Sequence, residues 1–443
     1  MRKCLILAAM LLPSLMRAQG WNLAQCLDYA RQHNIAVQKS VVNEQMGEAT
    51  LKQDRAALWP SLSFSMSQSL GYRPFQEDVT AMVQGGQATQ TSNKVTENGS
   101  YGLNAQWTVF DGTARQKTIK AQQLANEINQ LATEHQIQNV EEQIAQLYVQ
   151  ILYSIEAVKV NKQLLETAQK QRDRGAEMVE VGQLARADLA QLDAQLAAAQ
   201  YDVVNSEALV AGYKRQLKQL LQLDALSPFD VATIDVAEDA ALQAIPPLAE
   251  VYERALATRP EIRSASLNVD MAEANIGVAK AGYWPTINLN AGIGDNHYSS
   301  SQNSIGNQMK QNLSGSVGLS VSVPILDNRR NRTNVEKAKM NKTTAALDLA
   351  DARAQLSSKV ESYWIDAGTN QQRFIAAQSK VNSQQVSYEL LDEQFKAGLK
   401  NIVELLQGRD ALVSAQQDRL QSKYSTLLSL AMLRYYQGEG INL

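Results

Sequence analysis

The chain has 443 residues, 44% hydrophobic and 20% charged, with 42 basic against 45 acidic side chains and a formal net charge of −3. Interspersed charges in near balance leave no basic face for nucleic acid. Beyond the first residues no run approaches the ~18 apolar residues of a membrane-spanning helix, and no shift in composition separates two ordinary domains.

The start, Met1-Arg2-Lys3 followed by apolar residues from Cys4 to Leu15 and then Ala18-Gln19, reads as a secretory signal peptide over 1–19. Its removal takes Cys4 and leaves Cys26 alone, so no internal disulfide forms. Leu23-Ala24-Gln25 is a poor lipobox, and Cys26 repeats as Val251. Cys26 therefore reads as an apolar residue on a helix face, not as a lipid anchor.

A helix is expected over 22–58, ended by Trp59-Pro60, because proline cannot donate the next helical hydrogen bond. Ser61 onward alternates small polar and apolar residues, with Leu62, Phe64 and Met66 on one face of a strand at about 61–72. The connection 71–99 is rich in Gln, Ser, Asn and Gly and reads as an exposed loop. A second strand at 100–110 places Tyr101, Leu103, Ala105, Trp107 and Val109 on one face. Gly102, Asn104, Gln106 and Thr108 take the other. From Thr113 to about Arg174 there is no Pro or Gly, and good helix formers dominate. Val140, Ile144, Leu147, Ile151, Ile155 and Val158 form a stripe at spacings of three and four. A turn marked by Gly175–Gly182 and a return helix at 187–222 follow. The segment 223–246, with Phe229-Asp230-Val231 and Ile234-Asp235-Val236, reads as a strand-like equatorial linker.

The plan then repeats. A helix at 247–283 meets Trp284-Pro285, and strands are expected at about 286–294 and 313–323, joined by a polar loop at 295–312. The later strand alternates Leu313, Val317, Leu319, Val321 and Val323 with Ser314, Ser316, Gly318, Ser320 and Ser322. A long helix from about Arg332 to Lys396, interrupted at Gly368, meets a turn at Ala397-Gly398. A return helix at 402–436 and a short tail at 438–443 end the chain. Pro60 and Pro285, Ala30 and Ala255, and Val37 and Ile262 share a spacing of 225; Asp111 and Asp327, Gly182 and Gly398, and Leu189 and Leu405 share 216. Two units, 20–222 and 247–437, thus arise from one duplication, its period far longer than a solenoid repeat.

Strands of 10–12 residues match the ~9–11 that cross a bilayer when tilted. Trp59, Trp107, Phe110, Tyr283 and Trp284 gather at one end, as an interfacial girdle would. A soluble sandwich with one wet face is the competing reading, but four strands make a poor sandwich beside such helices. Four strands cannot close a barrel either, and an open edge in lipid costs several kcal/mol per unpaired group. If the strands span a membrane, several chains must share one barrel. The helices alone fit either the wall of a hollow cylinder or an antiparallel coiled coil.

Trp59-Pro60 and Trp284-Pro285, Thr108-Val109-Phe110-Asp111-Gly112 and Pro324-Ile325-Leu326-Asp327-Asn328, with both glycine turns, resemble the TolC-like outer membrane efflux protein family over about 20–437. The resemblance implies a mainly α fold with a small β part. Duplicated long-helix hairpins would form an α-helical barrel, and four transmembrane strands per chain would complete a trimeric twelve-stranded β-barrel. Trp59, Pro60, Asp111, Trp284, Pro285 and Asp327 would mark the barrel–periplasm junction. The implied protein is an outer membrane homotrimer, mostly periplasmic, contacting outer membrane lipid. It would serve as passive exit duct for a periplasmic adaptor and an inner-membrane pump of the RND, ABC or MFS type, in efflux or type I secretion.

Carried over by position, the family's gate falls on Asp188, preceded by Ala187, and on Phe395 and Lys400; its acidic ring falls on Glu404, with an uncharged Gln407 at a second ring position. The turns at Gly182, Gln183, Leu184, Gly398 and Leu399 would meet the adaptor. An enzyme is the competing class, but His33, His135 and His297 are isolated, and no phosphate loop, nucleophile elbow or metal spacing appears. No cofactor, metal, catalytic residue or nucleic-acid partner is therefore expected. A secreted helical scaffold or adhesin without a pore is the alternative.

Overall fold

The computed structural model describes residues 20–75, 79–83, 86–90, 94–233, 237–299 and 304–442, the two short segments 79–83 and 86–90 by backbone alone. The signal peptide at 1–19 and Ile234-Asp235-Val236 lie outside the described residues. The first half runs α1 (Leu23–His33), α2 (Ile35–Ala56), β1 (Ser61–Tyr72), β2 (Val79–Val83), β3 (Gly86–Gln90), β4 (Val95–Phe110), α3 (Ala114–Glu180) and α4 (Arg186–Leu220). A 3₁₀ turn at Glu238–Leu242 lies in the connection. The second half runs α5 (Leu248–Thr258), α6 (Pro260–Ala281), β5 (Thr286–Tyr298), α7 (Ile305–Asn312), β6 (Ser314–Ser322), α8 (Arg330–Lys396) and α9 (Ile402–Tyr436).

Local chemistry explains where the elements depart from expectation. The helix expected over 22–58 breaks at Asn34, whose side-chain oxygen accepts from the N–H groups of Ala36 at 2.9 Å and Val37 at 3.3 Å and so caps α2. The corresponding break in the second half comes from Pro260, which opens α6 after an extended Arg259. Conversely, α8 runs unbroken through Gly368, because one glycine costs a long helix only about 1 kcal/mol. Likewise α3 continues through Gly175 to Glu180. The connections at 71–99 and 295–312 are not plain loops: β1 and β4 extend into the first, which also holds the β2–β3 hairpin, and α7 occupies the second. The linker's strand-like pairing among the described residues is a parallel bridge, Trp21 to Val231, beside which the Tyr148 hydroxyl donates to Ala232 O at 2.9 Å.

The chain divides into two compact units. One comprises Met1–Asn43, Gln130–Ser264 and Ala350–Leu443, with a core that includes Cys26, Ile144, Tyr148, Ile151, Leu217, Phe374 and Met432. Burial pushes the Cys26 thiol up to about 12, so it behaves as an apolar side chain.

The other unit, Glu44–Asn129 and Ala265–Leu349, holds an antiparallel sheet in the order β1-β4-β5-β6. Its register pairs Phe64 with Leu103, Leu103 with Ile293 and Ala291 with Val317, so apolar columns share one face. Ser63, Asn104, Gly292 and Ser316 line the opposite face in a single row. Phe64 is 65% exposed and Val317 78% exposed, so the apolar face is uncovered within the chain. A contiguous apolar surface of this kind marks contact with lipid or another chain.

Candidate functional site

The two helix turns are built alike. Gly182 and Gly398 adopt φ of +73° and +72°, the left-handed region open to a residue without Cβ. The N–H of Gln183 reaches back to Met178 O at 2.8 Å, and that of Leu399 to Gln394 O at 2.9 Å. Gly182 and Gly398 donate to Val179 O and Phe395 O, at 3.1 and 3.0 Å. Both helices therefore end in the same paired-bond glycine cap. Gln183 is exposed, as is Leu399, while Leu184 packs inward.

Phe395 was expected at a gate, in place of a hydrogen-bonding residue. It is instead only 7% exposed and packs in an apolar cluster with Leu192 of α4 and Ile402 and Leu405 of α9. Leu184, Tyr388, Leu391 and Leu406 close around it. An aromatic hydrocarbon gains more from this burial than from lining water. Phe395 thus ties the first hairpin to the second.

Within the chain no ion pair joins Asp188 to Lys400 among the described residues, and Lys400 Nζ lies 2.6 Å from Glu404 Oε1. A helix cap places that carboxylate beside Lys400. Asn401 accepts from the Glu404 N–H at 2.9 Å, and Glu404 accepts from the Asn401 N–H at 3.3 Å. This capping box folds Glu404 back over the start of α9, within one turn of Lys400. The Lys400 ammonium and the Asn401 N–H hold the Glu404 carboxyl below the usual carboxylate range. Asp188 sits half-buried in the first turn of α4, where the helix dipole favours its charge. Gln407 is exposed.

In the sheet-bearing unit, the two strand-to-helix turns also correspond. Each carries two successive left-handed residues, Gly112 and Thr113 in one, Asn328 and Arg329 in the other. Asp111 accepts from the backbone and side chain of Arg115, whose guanidinium also reaches Ala57 O at 2.9 Å and Thr108 O. Asp327 accepts from the Asn331 N–H at 2.8 Å, and the Asn331 side chain donates to Gly282 O at 2.6 Å. Ala57 and Gly282 are equivalent positions, so each turn is stapled to the helix end before its partner strand. A Cβ on Gly112 would lie 2.6 Å from Ala281 O and from Trp284 Cβ, which brings the two junctions into contact. Trp59, Pro60 and Trp284 remain exposed and Pro285 half-buried.

A buried polar network escaped the sequence reading. Glu142, 7% exposed, accepts from Tyr436 at 2.7 Å and lies 2.8 Å from Lys359 Nζ and 3.4 Å from Arg259. Glu141 accepts from Tyr435 and Arg31, both at 2.6 Å. Arg259 stacks over the Tyr436 ring at 4.2 Å and bonds Glu261 at 3.1 Å; His135 Nδ1 lies 3.3 Å from Glu261. Burial and then the adjacent glutamates push both tyrosine hydroxyls far above their ordinary range. The available signals were Glu141-Glu142 interrupting the α3 apolar stripe and Arg259 before a proline.

Among the described residues, no group of three or more His, Cys, Asp or Glu is placed to hold a metal ion. No helix among them is long and apolar enough to cross a membrane.

The model of the family described as outer membrane efflux protein matches residues 26–222 and 251–439. Outer membrane protein TolC of Escherichia coli is 25% identical over 422 residues, 93% of this chain and 81% of that protein. The alkaline protease secretion protein AprF of Pseudomonas aeruginosa is 22% identical, covering 90% of this chain and 81% of its own length. The solved structure of the outer membrane protein VceC from Vibrio cholerae superposes with a TM-score of 0.75 at 16% identity, covering 95% of this chain and 97% of that one.

Proposed function

Since the chain belongs to the outer membrane efflux protein family, we propose that it is the outer membrane exit duct of a tripartite efflux or type I secretion system, conducting substrate passively. The supporting observation is the sheet. One face presents apolar columns, the other small uncharged residues, and β1 and β6 end the order with no partner among the described residues. In hydrocarbon each unpaired backbone group costs several kcal/mol, so the edges must meet sister chains. Three chains give twelve strands, within the range of closed membrane barrels. The Ser, Asn and Gly face then lines a hydrated bore.

The helix turns are the site for an adaptor, which an inner-membrane pump supplies with substrate. Exposed Val181 at 68% and Leu399 at 76% support this: they place apolar surface beside rigid glycine caps. Trimerisation brings three copies of Glu404, each with its own Lys400, around one axis.

The test is purification. The duct reading expects a detergent-dependent, heat-modifiable trimer that forms channels in planar bilayers. A monodisperse monomer in plain buffer overturns it in favour of a secreted scaffold or adhesin.

A further inference from the structure

The short helix α7 is an element that the duct reading does not use. The β5–β6 ladder stops at Gly294 paired with Ser314, yet β5 continues to Tyr298. Beyond that point α7 supplies side chains where a strand would supply backbone. Gln308, 5% exposed, accepts from the Tyr298 N–H at 2.9 Å and donates to Tyr298 O at 3.1 Å. Asn312, one turn on, donates to Asn296 O at 2.6 Å. Two amides of one helix face thus replace part of a missing ladder.

At 3.6 residues per turn, Ile305, Met309 and Leu313 fall on the flank beside that docking face, while Asn307, Lys310 and Gln311 fall on the opposite side. Ile305 is 51%, Met309 41% and Leu313 60% exposed. Leu313 also begins the outward apolar column of β6, which continues through Val317, Leu319 and Val321. The α7 stripe therefore extends an apolar face already directed at lipid. It does so where the same column of β5 turns polar, from Ile293 to Asp295 and His297. On β1 and β4 the apolar face still shows Leu70, Tyr72 and Val95 past that row.

We infer that α7 lies in the leaflet at the strand tips remote from the long helices, with Ile305, Met309 and Leu313 against lipid acyl chains. Its amides Gln308 and Asn312 satisfy the backbone of β5 that would otherwise stand unpaired in hydrocarbon. The inference rests on the reading of the apolar columns as lipid-facing. α7 is then an interfacial element laid against the barrel wall, not a loop over the mouth.

The test is site-directed fluorescence of the full-length protein in phosphatidylcholine vesicles, a fraction of whose lipids carry a nitroxide on the acyl chain. An environment-sensitive dye is placed on Met309→Cys and, separately, on Leu319→Cys in β6 as a reference; native Cys26 is buried and is not labelled. The inference expects emission at 309 to be blue-shifted and quenched by spin-labelled lipid as strongly as at 319. Quenching at 319 with none at 309, whether 309 is reached by aqueous iodide or by neither quencher, overturns the lipid assignment of α7 and leaves the membrane reading standing. Loss of lipid quenching at both positions overturns the two together.

Discussion

Gly175 of α3 faces Leu192 of α4 so closely that an added Cβ would lie 2.3 Å from Leu192 Cδ1. At the equivalent positions of the second hairpin the roles are exchanged: Leu391 stands on α8, and Gly408 of α9 would meet its Cδ1 at 2.5 Å. Each hairpin therefore seats one leucine against one glycine, from opposite helices. Helix propensity alone favours alanine over glycine by about 1 kcal/mol, but Leu192 is 2% exposed and locked against Phe395. Gly175→Leu should destabilise the turn region by about 1–3 kcal/mol through overpacking. Leu192→Gly should do so by about 2–5 kcal/mol through a cavity. The double exchange recreates the second hairpin's arrangement, so it should cost clearly less than the two losses added. Hydrogen exchange of the α3–α4 turn measures this; simple additivity would show that the contact does not couple the helices.

Phe395→Ala should remove the apolar tie between the hairpins at a cost of about 3–5 kcal/mol, with Phe395→Leu much milder. If the turns form the closed end of a duct, the alanine variant should also conduct more ions in planar bilayers. Hydrogen exchange should loosen at Leu184 and Ile402 and not in the sheet. Conductance equal to wild type, with exchange faster at the turns, would place the constriction elsewhere.

What could be read from the sequence was what punctuation and alternation write locally. Pro60, Pro285, Gly182 and Gly398 each impose a backbone state wherever they stand, and the period-two columns reveal faces without any partner. Interactions between distant segments left no such mark. Glu141 and Tyr435 meet across most of the chain, and the pairing of Lys400 with Glu404 depends on the Asn401 cap that folds the carboxylate back. Phe395 carried its own warning, since an aromatic without a hydroxyl belongs in a core. Asn34 looked neutral inside a helix because its capping role depends on an extended backbone. α7 was hidden in a connection dense in Gln and Asn, where two of those amides serve β5.

Glu142 anchors Tyr436, Arg259 and Lys359 in a buried site. Glu142→Ala would leave Arg259, 3% exposed, with Glu261 at 3.1 Å as its remaining carboxylate, and should cost about 1–3 kcal/mol through the lost charge-assisted contacts. Lys359 softens the loss because its side chain is 45% exposed. Tyr436→Phe deletes one hydrogen bond to a charged group and should cost about 1.5–3 kcal/mol. Denaturant unfolding of the detergent-purified protein, followed by helical circular dichroism, gives both values. A loss below about 1 kcal/mol for Glu142→Ala would mean that water replaces the network.

Acid should probe the same region through Glu261. Burial opposes ionisation there, but the His135 ring 3.3 Å away and the Arg259 guanidinium together hold its carboxyl at about 2, against an ordinary 4.5. A depressed folded-state value stabilises the fold above pH 4.5, and that contribution is lost as pH falls toward about 2. Wild-type stability should therefore decline across this window, and Glu261→Gln should be less stable at neutral pH with a shallower acid slope. Parallel slopes for the two proteins would refute the assignment.

Charge at the α9 turn is set by a pair and not by an isolated carboxylate. Lys400 Nζ lies 2.6 Å from Glu404 Oε1, so in the proposed trimer a ring of Glu404 copies would be largely neutralised in place. Because the pair is exposed and lies within one helical turn, removing Lys400 should scarcely alter folding. It should, however, unmask the carboxylates, whose mutual field extends about 8 Å at physiological salt. Under a salt gradient, Lys400→Ala should shift the reversal potential toward cation preference, and Glu404→Gln should shift it the opposite way. The double variant should return to the wild-type reversal potential, since it removes both charges of the neutralised pair. Raising the salt severalfold should shrink every one of these shifts, because screening acts on the ring and not on the fold. Identical reversal potentials in all variants at low salt would remove Glu404 from the permeation path.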